Sequence, residues 1–316
     1  MHICQIKTKV VSGENALEIL EAYRDERVMI ICDKFLEKNK TLAQVTKPLL
    51  AHNQVIVFTD ILQEPTLNLI GKCIVVAANF KPTVIIGLGG GAALDTTKGV
   101  VYFATSGQIM LKPAFLAIPT TSGTGSEMTN FAVFTDTQKQ TKSVVVDDLM
   151  YADIAILDPT LTLSVPPAIT ANTGFDVLTH AVEAYVTNTA TVFTDAVAAK
   201  SFEIGLGCLP LCYNQGENMI ARAGMLEASN LAGIAFTLSG LGIAHSMAHQ
   251  LGAVYHVPHG LACALCLPAA IEYNAGEPSV AEKYAKLAFT IGIAPSQISS
   301  AEAIITAGKT GGMCSP

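Results

Sequence analysis

The sequence predicts two domains of different class. An α/β domain with a mostly parallel sheet is expected over residues 1–165, and an all-α helical domain over 166–316. Three observations predict this. Short β-rich runs alternate with helical patterns in the first half. From Ala168 onward, long segments with apolar residues at helical spacing take over. Between them, SVPPAIT (164–170) carries two prolines, which suit a hinge and a fresh helix start.

The expected strands are ICQIKTKVV (3–11), VMIIC (28–32), QVIVF (54–58), TVIIGLG (83–89) and AFLAIP (114–119). Helices fit between them, NALEILEAYRD (15–25) among them. In the second half TANTGFDVLTHAVEAYV, TDAVAAKSFEIGLGCL, ARAGMLEASNLAGIAF and IAHSMAHQLGAV read as packed helices.

Composition narrows the function classes. The 316 residues are 50% hydrophobic and 14% charged, with a mean hydropathy of +0.43, so either the core is large or some surface is buried against a partner subunit. No run of about 18 uninterrupted apolar residues appears, which argues against a membrane span. The N-terminal stretch has no signal-peptide pattern, and a cytosolic location is expected. A net charge of −7 and 19 Lys plus Arg without a basic stripe argue against a nucleic-acid partner. The eight cysteines read as reduced thiols. The close pairs Cys208/Cys212 and Cys263/Cys266 are expected to be small buried hydrophobes, because no second CxxC completes a four-thiolate zinc site.

VIIGLGGGAALDTTKGV (84–100) runs from a strand through Gly87, Gly89, Gly90 and Gly91 into a helix. Such a turn lets backbone approach a bulky anion and offers it the free N–H groups of a helix start. The pattern supports a Rossmann-like sheet, although a tight turn needing positive φ reads the same way. Asp33 closes the strand VMIIC, where a carboxylate can take a ribose hydroxyl or cap the next helix. IPTTSGTGSE (118–127) is a second loop of glycines and hydroxyls directly after a strand.

Four of the seven histidines fall in IAHSMAHQLGAVYHVPHG (243–260): His245, His249, His256 and His259. His245 and His249 are four apart on a helix and share a face, as do Asp176 and His180. Each pair alone reads as ordinary core. Together, a carboxylate and imidazoles on two apolar helices point to a divalent cation that offsets the cost of burying the charge.

GFDVLTHAVEAY, GIAHSMAHQLGAVYHVPHG, GLGGGAALDTTKG and AIPTTSGTGSE, in this order and spacing, resemble the iron-containing (group III) alcohol dehydrogenase family. ICDKFL, PPAITANTGFDVLTH and YNAGEP are most similar to the 1-propanol dehydrogenases of propanediol utilisation. Ethanolamine-utilisation alcohol dehydrogenases are a little more distant. The resemblance implies a dehydroquinate synthase-like architecture, NAD as cofactor, and Fe²⁺ with Zn²⁺ as a substitute. It places the metal on Asp176, His180, His245 and His259, and puts His249 beside nicotinamide and substrate as proton carrier. His256 matches no family ligand. For the cofactor it marks Asp33, Gly89, Gly90, Gly91, Asp95, Thr120, Thr121, Thr124 and Lys142. The implied reaction interconverts a short-chain primary alcohol and its aldehyde in a homodimer or larger homo-oligomer, in the cytoplasm or a bacterial microcompartment. Glycerol dehydrogenase-like and dehydroquinate synthase-like chemistry, or a shortened relative that binds without turnover, are the alternatives.

Three features depart from the family pattern. Ala92 stands where Ser is common, and Cys263 where Asn is common after the PHG turn. The chain stops at TAGKTGGMCSP, where family members continue with further helices, so a shortened second domain with exposed apolar surface is expected.

Overall fold

The computed structural model describes residues 3–61, 64–139 and 141–292. The first half contains eight strands: β1 (Lys9–Ser12), β2 (Arg27–Cys32), β3 (Gln54–Phe58), β4 (Val84–Gly89), β5 (Ala114–Pro119), β6 (Phe131–Asp136), β7 (Thr141–Val146) and β8 (Ile154–Leu157). Six of them form one parallel sheet in the order β1-β8-β5-β4-β2-β3, and β6 and β7 form a separate antiparallel hairpin. The helices are α1 (Phe35–Lys38), α2 (Thr41–Leu50), α3 (Leu67–Phe80), α4 (Gly91–Ser106), α5 (Pro167–Val186), α6 (Val192–Asn214), α7 (Met219–Ser239), α8 (Ile243–Tyr255), α9 (His259–Asn274) and α10 (Pro278–Thr290).

Helical crossovers join β2 to β3, β3 to β4 and β4 to β5, which suits a parallel sheet, and the sheet is buried on both faces. Val28, Ile30 and Cys32 of β2 point to the side packed by α2, while Met29 and Ile31 point to the side packed by α3 and α4. The strand order changes direction between β2 and β4, since the chain leaves β2 outward to β3 and returns to β4 on β2's other flank. Ligands in open parallel sheets bind in the crevice at the carboxyl ends of the strands at such a point.

Four sheet strands stand within one residue of their expected positions. The first does not. Of the expected 3–11 only Lys9–Val11 pair, with Ser12 added beyond them, because the neighbour β8 offers four residues, Ile154 to Leu157. β8 itself was too short to read from sequence. The expected helix at 15–25 is a 3₁₀ turn at Ala16–Ala22. It starts on Asn15 in the left-handed region at φ 67° without a side-chain cap, and Tyr23 N–H closes it on Leu20 O.

The second half packs α5, α6 and α7 around Val177, Tyr185, Phe202, Met225 and Phe236, with α10 adding Tyr284 and Leu287. Among the described residues no single helix is long and apolar enough to cross a membrane. A close backbone contact joins the halves. A Cβ on Gly125, which sits at φ +58°, would lie 2.7 Å from Gly233 Cα of α7, and one on Gly233 would lie 2.7 Å from Gly125 O. Beside it, buried Asn230 donates to Glu127 Oε1 at 3.0 Å.

Candidate active site

The crevice between β2 and β4 is built mainly of backbone. Gly89 ends β4 at φ +148°, and a Cβ there would lie 2.7 Å from Ala93 Cβ and 3.1 Å from Asp33 Oδ2. Gly90 precedes α4 in extended conformation and makes no side-chain cap, so the first N–H groups of α4 are left free of one. The hydroxyl loop closes over this turn. Thr120 N–H donates to Gly89 O at 3.0 Å, Thr121 Oγ1 lies 3.2 Å from the Cβ position of Gly90, and Thr124 Cγ2 lies 2.7 Å from that of Gly91. Asp33, Gly89, Gly90, Gly91, Thr120, Thr121 and Thr124 are thus brought to one place. Burial holds the Asp33 carboxyl above its ordinary range.

Asp95 and Lys142 sit differently. Asp95 turns into the protein: Oδ1 accepts from Ser126 Oγ at 2.7 Å and Oδ2 from Val133 N–H at 3.0 Å, which ties α4 to the hydroxyl loop and to β6. Behind it, fully buried Lys98 donates to Thr129 Oγ1 at 2.5 Å and Phe131 O at 2.9 Å. Burial pushes its ammonium down to about 8. Lys142, on β7, is half exposed and paired with Glu64 at 2.7 Å.

The second part of the site is made of side chains. Asp176 and His180 lie one turn apart on α5, His245 and His249 one turn apart on α8, and His259 opens α9. Asp176 Oδ1 is the hub. It lies 3.3 Å from His259 Nε2, 3.6 Å from His245 Nε2 and 3.9 Å from His180 Nε2. The His180 ring stacks on Phe236 at 4.4 Å and on His245 at 4.5 Å. His249 stacks on His259 at 5.2 Å and lies towards solvent. His256 caps the end of α8 in the left-handed region, exposed and outside the cluster.

Burial by itself would raise the Asp176 carboxyl, but the surrounding imidazoles outweigh it and hold the group well below the usual range. Burial pushes the His180 imidazole down to about 3.

Sequence reasoning missed Glu183. Its carboxylate accepts from Ala244 N–H at 2.7 Å and His245 N–H at 3.3 Å, capping α8. It also meets His245 Nδ1 at 2.5 Å, which fixes the ring and turns Nε2 towards Asp176. The signal was present, for Glu183 follows Asp176 by seven and His180 by three, on the same helical face. Of the aromatics near the motifs, Phe236 and Phe131 lie beside the cluster, 5.9 Å apart, whereas Phe134 is buried in the sheet core against Phe103.

The two parts meet at the hydroxyl loop. A Cβ on Gly123 would touch Thr173 Cβ of α5 at 2.8 Å. Thr173 precedes Asp176 by three residues, about 4.5 Å along the helix axis.

A metal fits these residues. Asp176 Oδ1 and His245 Nε2, which face one another here, are buried and find no hydrogen-bond partner among the described residues, a costly state for polar atoms in an apolar helical core. Oxygen and imidazole donors crowded at 3.3–3.9 Å without a hydrogen bond between them are arranged for a shared cation.

Residues 7–159 match the family profile of iron-containing alcohol dehydrogenase, and residues 170–309 match that of the Fe-containing alcohol dehydrogenase family, C-terminal. The chain belongs to the iron-containing alcohol dehydrogenase family. It is 44% identical over 299 residues to 1-propanol dehydrogenase PduQ of Citrobacter freundii, covering 95% of this chain and 80% of the relative. In fold it is similar to a 1,3-propanediol oxidoreductase, with a TM-score of 0.92 at 31% identity over 99% of this chain and 86% of that one. It is also similar to the sulfoacetaldehyde reductase of Bifidobacterium kashiwanohense in complex with NAD⁺, with a TM-score of 0.87 at 27% identity over 98% and 86% of the two chains. These relatives share the architecture expected from the sequence, a parallel α/β half followed by helices, and membership makes the chain an oxidoreductase. The terminal stretch TAGKTGGMCSP lies outside the described residues.

Proposed function

We propose that the chain interconverts a short-chain primary alcohol and its aldehyde with NAD(H), with 1-propanol and propionaldehyde as its pair. The observation that carries this reading is the meeting of the glycine turn and the Asp176 cluster across the Gly123–Thr173 contact. It sets the backbone cradle beside the cluster of oxygen and imidazole donors. The similarity to 1-propanol dehydrogenase PduQ supports the choice of substrate.

Residues 1–165 serve as the cofactor domain and 166–316 as the metal and substrate domain. Gly89, Gly90 and Gly91 let the dinucleotide approach the start of α4, with Thr120, Thr121 and Thr124 closing over it. Asp33 takes the ribose hydroxyls and disfavours a 2′-phosphate, which selects NAD over NADP. Asp95 holds the loop in place from behind, and Lys142 reaches the cofactor from the hairpin. Asp176, His180, His245 and His259 hold Fe²⁺, with Zn²⁺ as substitute. When bound, the ion supplies Lewis-acid polarisation of the substrate oxygen. Phe131 and Phe236 offer the reacting carbon an apolar wall, and His249 passes the proton between the cluster and solvent.

Exposed Val192 and Ile220, at 88% and 86%, support a homodimer or larger assembly. The cytoplasm or a microcompartment is the proposed location, and neither nucleic acid nor a membrane is a proposed partner.

The test is NADH oxidation by anaerobically prepared, Fe²⁺-loaded protein with propionaldehyde, beside His245→Ala and beside NADPH. Turnover with NADH that disappears in the variant supports the reading. No turnover despite stoichiometric NADH and metal binding replaces it with a binding role.

A further inference from the structure

The sheet half carries a buried charge that apolar packing does not explain. Lys98 of α4 is fully buried. Taking an ammonium out of water is expensive, and an apolar side chain of similar volume would fill the same space without that cost. The ammonium is not spent on its carboxylate neighbours. Asp95 Oδ1 stands 4.0 Å away, beyond a hydrogen bond, and already accepts from Ser126 Oγ, while Glu127 accepts from Asn230. Lys98 donates instead to Thr129 Oγ1 at 2.5 Å and to Phe131 O at 2.9 Å. The Thr129 hydroxyl passes a bond on to the same Phe131 carbonyl at 3.2 Å, so both routes converge on one oxygen.

Phe131 is where the sheet half reaches over to the helices. It opens β6 just after the hydroxyl loop, and its ring packs against the core of α5, α6 and α7. It meets Phe236 at 5.9 Å between centroids, and Phe236 stacks on His180 at 4.4 Å. The Phe131 ring also lies 6.0 Å from Lys98 Nζ, at the edge of cation–π range. β6 and β7 form a two-stranded ribbon, a unit that is marginal by itself, so the placement of its first residue depends on bonds from outside. Lys98 supplies one from the helix that starts at the glycine turn, seven residues or about 10.5 Å beyond Gly91.

We propose that Lys98 is a positioning residue for substrate selection: by holding the Phe131 carbonyl it fixes the Phe131 ring against Phe236 and sets the shape of the apolar wall beside the Asp176 cluster. The inference rests on the reading of Phe131 and Phe236 as the substrate wall and goes beyond it by naming what sets that wall. Lys98 touches neither substrate nor cofactor and moves no proton in the reaction. Without its bond the first residue of the ribbon loses its anchor, the ring leaves Phe236, and the pocket discriminates less between aldehydes of different length. Pockets of this kind separate substrates by about 10–200-fold per methylene, so the loss falls on relative kcat/KM values and spares the chemical step.

The experiment compares wild type, Lys98→Met, Phe131→Ala and the double variant, each the full chain loaded with metal and assayed with NADH on propionaldehyde and on hexanal. Lys98→Met is expected to lower the propionaldehyde-to-hexanal ratio of kcat/KM about ten-fold, through KM, with kcat on propionaldehyde within about two-fold. Metal content and the Kd for NADH should stay at their wild-type values. In the Phe131→Ala background the same substitution should no longer move the ratio. A second measurement needs no turnover: 4-fluorophenylalanine in place of Phe131 should give one narrow ¹⁹F resonance in wild type and a shifted or broadened one in Lys98→Met. Should Lys98→Met fail to fold, Thr129→Val removes the bridging hydroxyl and is expected to shift the ratio the same way by about two- to three-fold. An unchanged ratio in the variant that folds, an equal shift with and without the Phe131 ring, or an unmoved resonance would overturn the positioning role and leave the substrate wall standing. Wild type that binds metal and NADH but turns over neither aldehyde would overturn the wall, and the role of Lys98 with it.

Discussion

The two parts of the site are made in opposite ways. At the sheet, the cradle between β2 and β4 is shaped by atoms that are missing: Gly89, Gly90 and Gly91 leave room where Cβ atoms would strike Ala93, Thr121 and Thr124. At the helices, the pocket is shaped by side chains that are present, Asp176, His180, His245 and His259, converging from α5, α8 and α9. On the proposed reading the first would recognise a ligand by shape and backbone N–H groups, and the second by charge and donor chemistry. Adding a methyl group should therefore injure the first, and deleting a functional group the second.

The sharpest break of this contrast is Asp176→Ala. Removing the oxygen shared by the three imidazoles should abolish metal binding and lower kcat/KM by at least ~10³-fold, with NADH binding retained. Metal analysis and fluorescence titration check the two halves separately.

Lys98 tests whether the sheet half also contains a charged device. A free lysine titrates near 10.5 and burial brings this one to about 8. Between these values the unfolded chain holds a proton that the folded chain has released, so this residue's contribution to stability rises with pH across that window. Below about pH 8 both states are protonated and the penalty is constant. The difference in unfolding free energy between wild type and Lys98→Met should change by about 3 kcal/mol across the window, measured by denaturant titration. A flat difference would show that Lys98 is not held at a lowered value.

Glu183→Gln sharpens the comparison inside the helical half, since it keeps the shape and removes the charge that orients His245. Metal affinity should fall about 10–100-fold with the fold intact, by competitive chelation. Gly91→Ala adds one methyl against Thr124 and should raise the Kd for NADH about ten-fold while metal content stays the same. The smallest effect belongs to Lys142→Ala. Its exposed pair with Glu64 should contribute under ~0.5 kcal/mol to stability, so any several-fold rise in the NADH Kd reports a cofactor contact.

The same contrast explains what was legible in the sequence. The glycine turn was readable because positive φ and close approach demand glycine itself, β4 because it opens on β-branched residues, and β5 because it is a short continuous apolar run. The helical segments were readable from their period, and Asp176, His180, His245 and His249 from i, i+4 spacing. What sequence does not encode locally is how helices cross. Glu183 reaches His245 across 62 positions, and Cys263 meets the cluster only because α9 lies on α5 at Gly260. β8 was missed because four residues are too few to show a pattern, and β1 was overextended because an edge strand ends where its partner ends.

The contact between Gly125 and Gly233 has a consequence for recombining this chain with its relatives. The hydroxyl loop and α7 touch backbone to backbone, and neither position has room for even one carbon. Asn230 and Glu127 add a buried bond that depends on the same registration. These two segments, more than a hundred positions apart, therefore have to be exchanged as a block. A chimera that takes its loop from one parent and α7 from another inherits two surfaces shaped in different molecules. Crossovers that keep residues 120–233 from a single parent leave the seam unbroken.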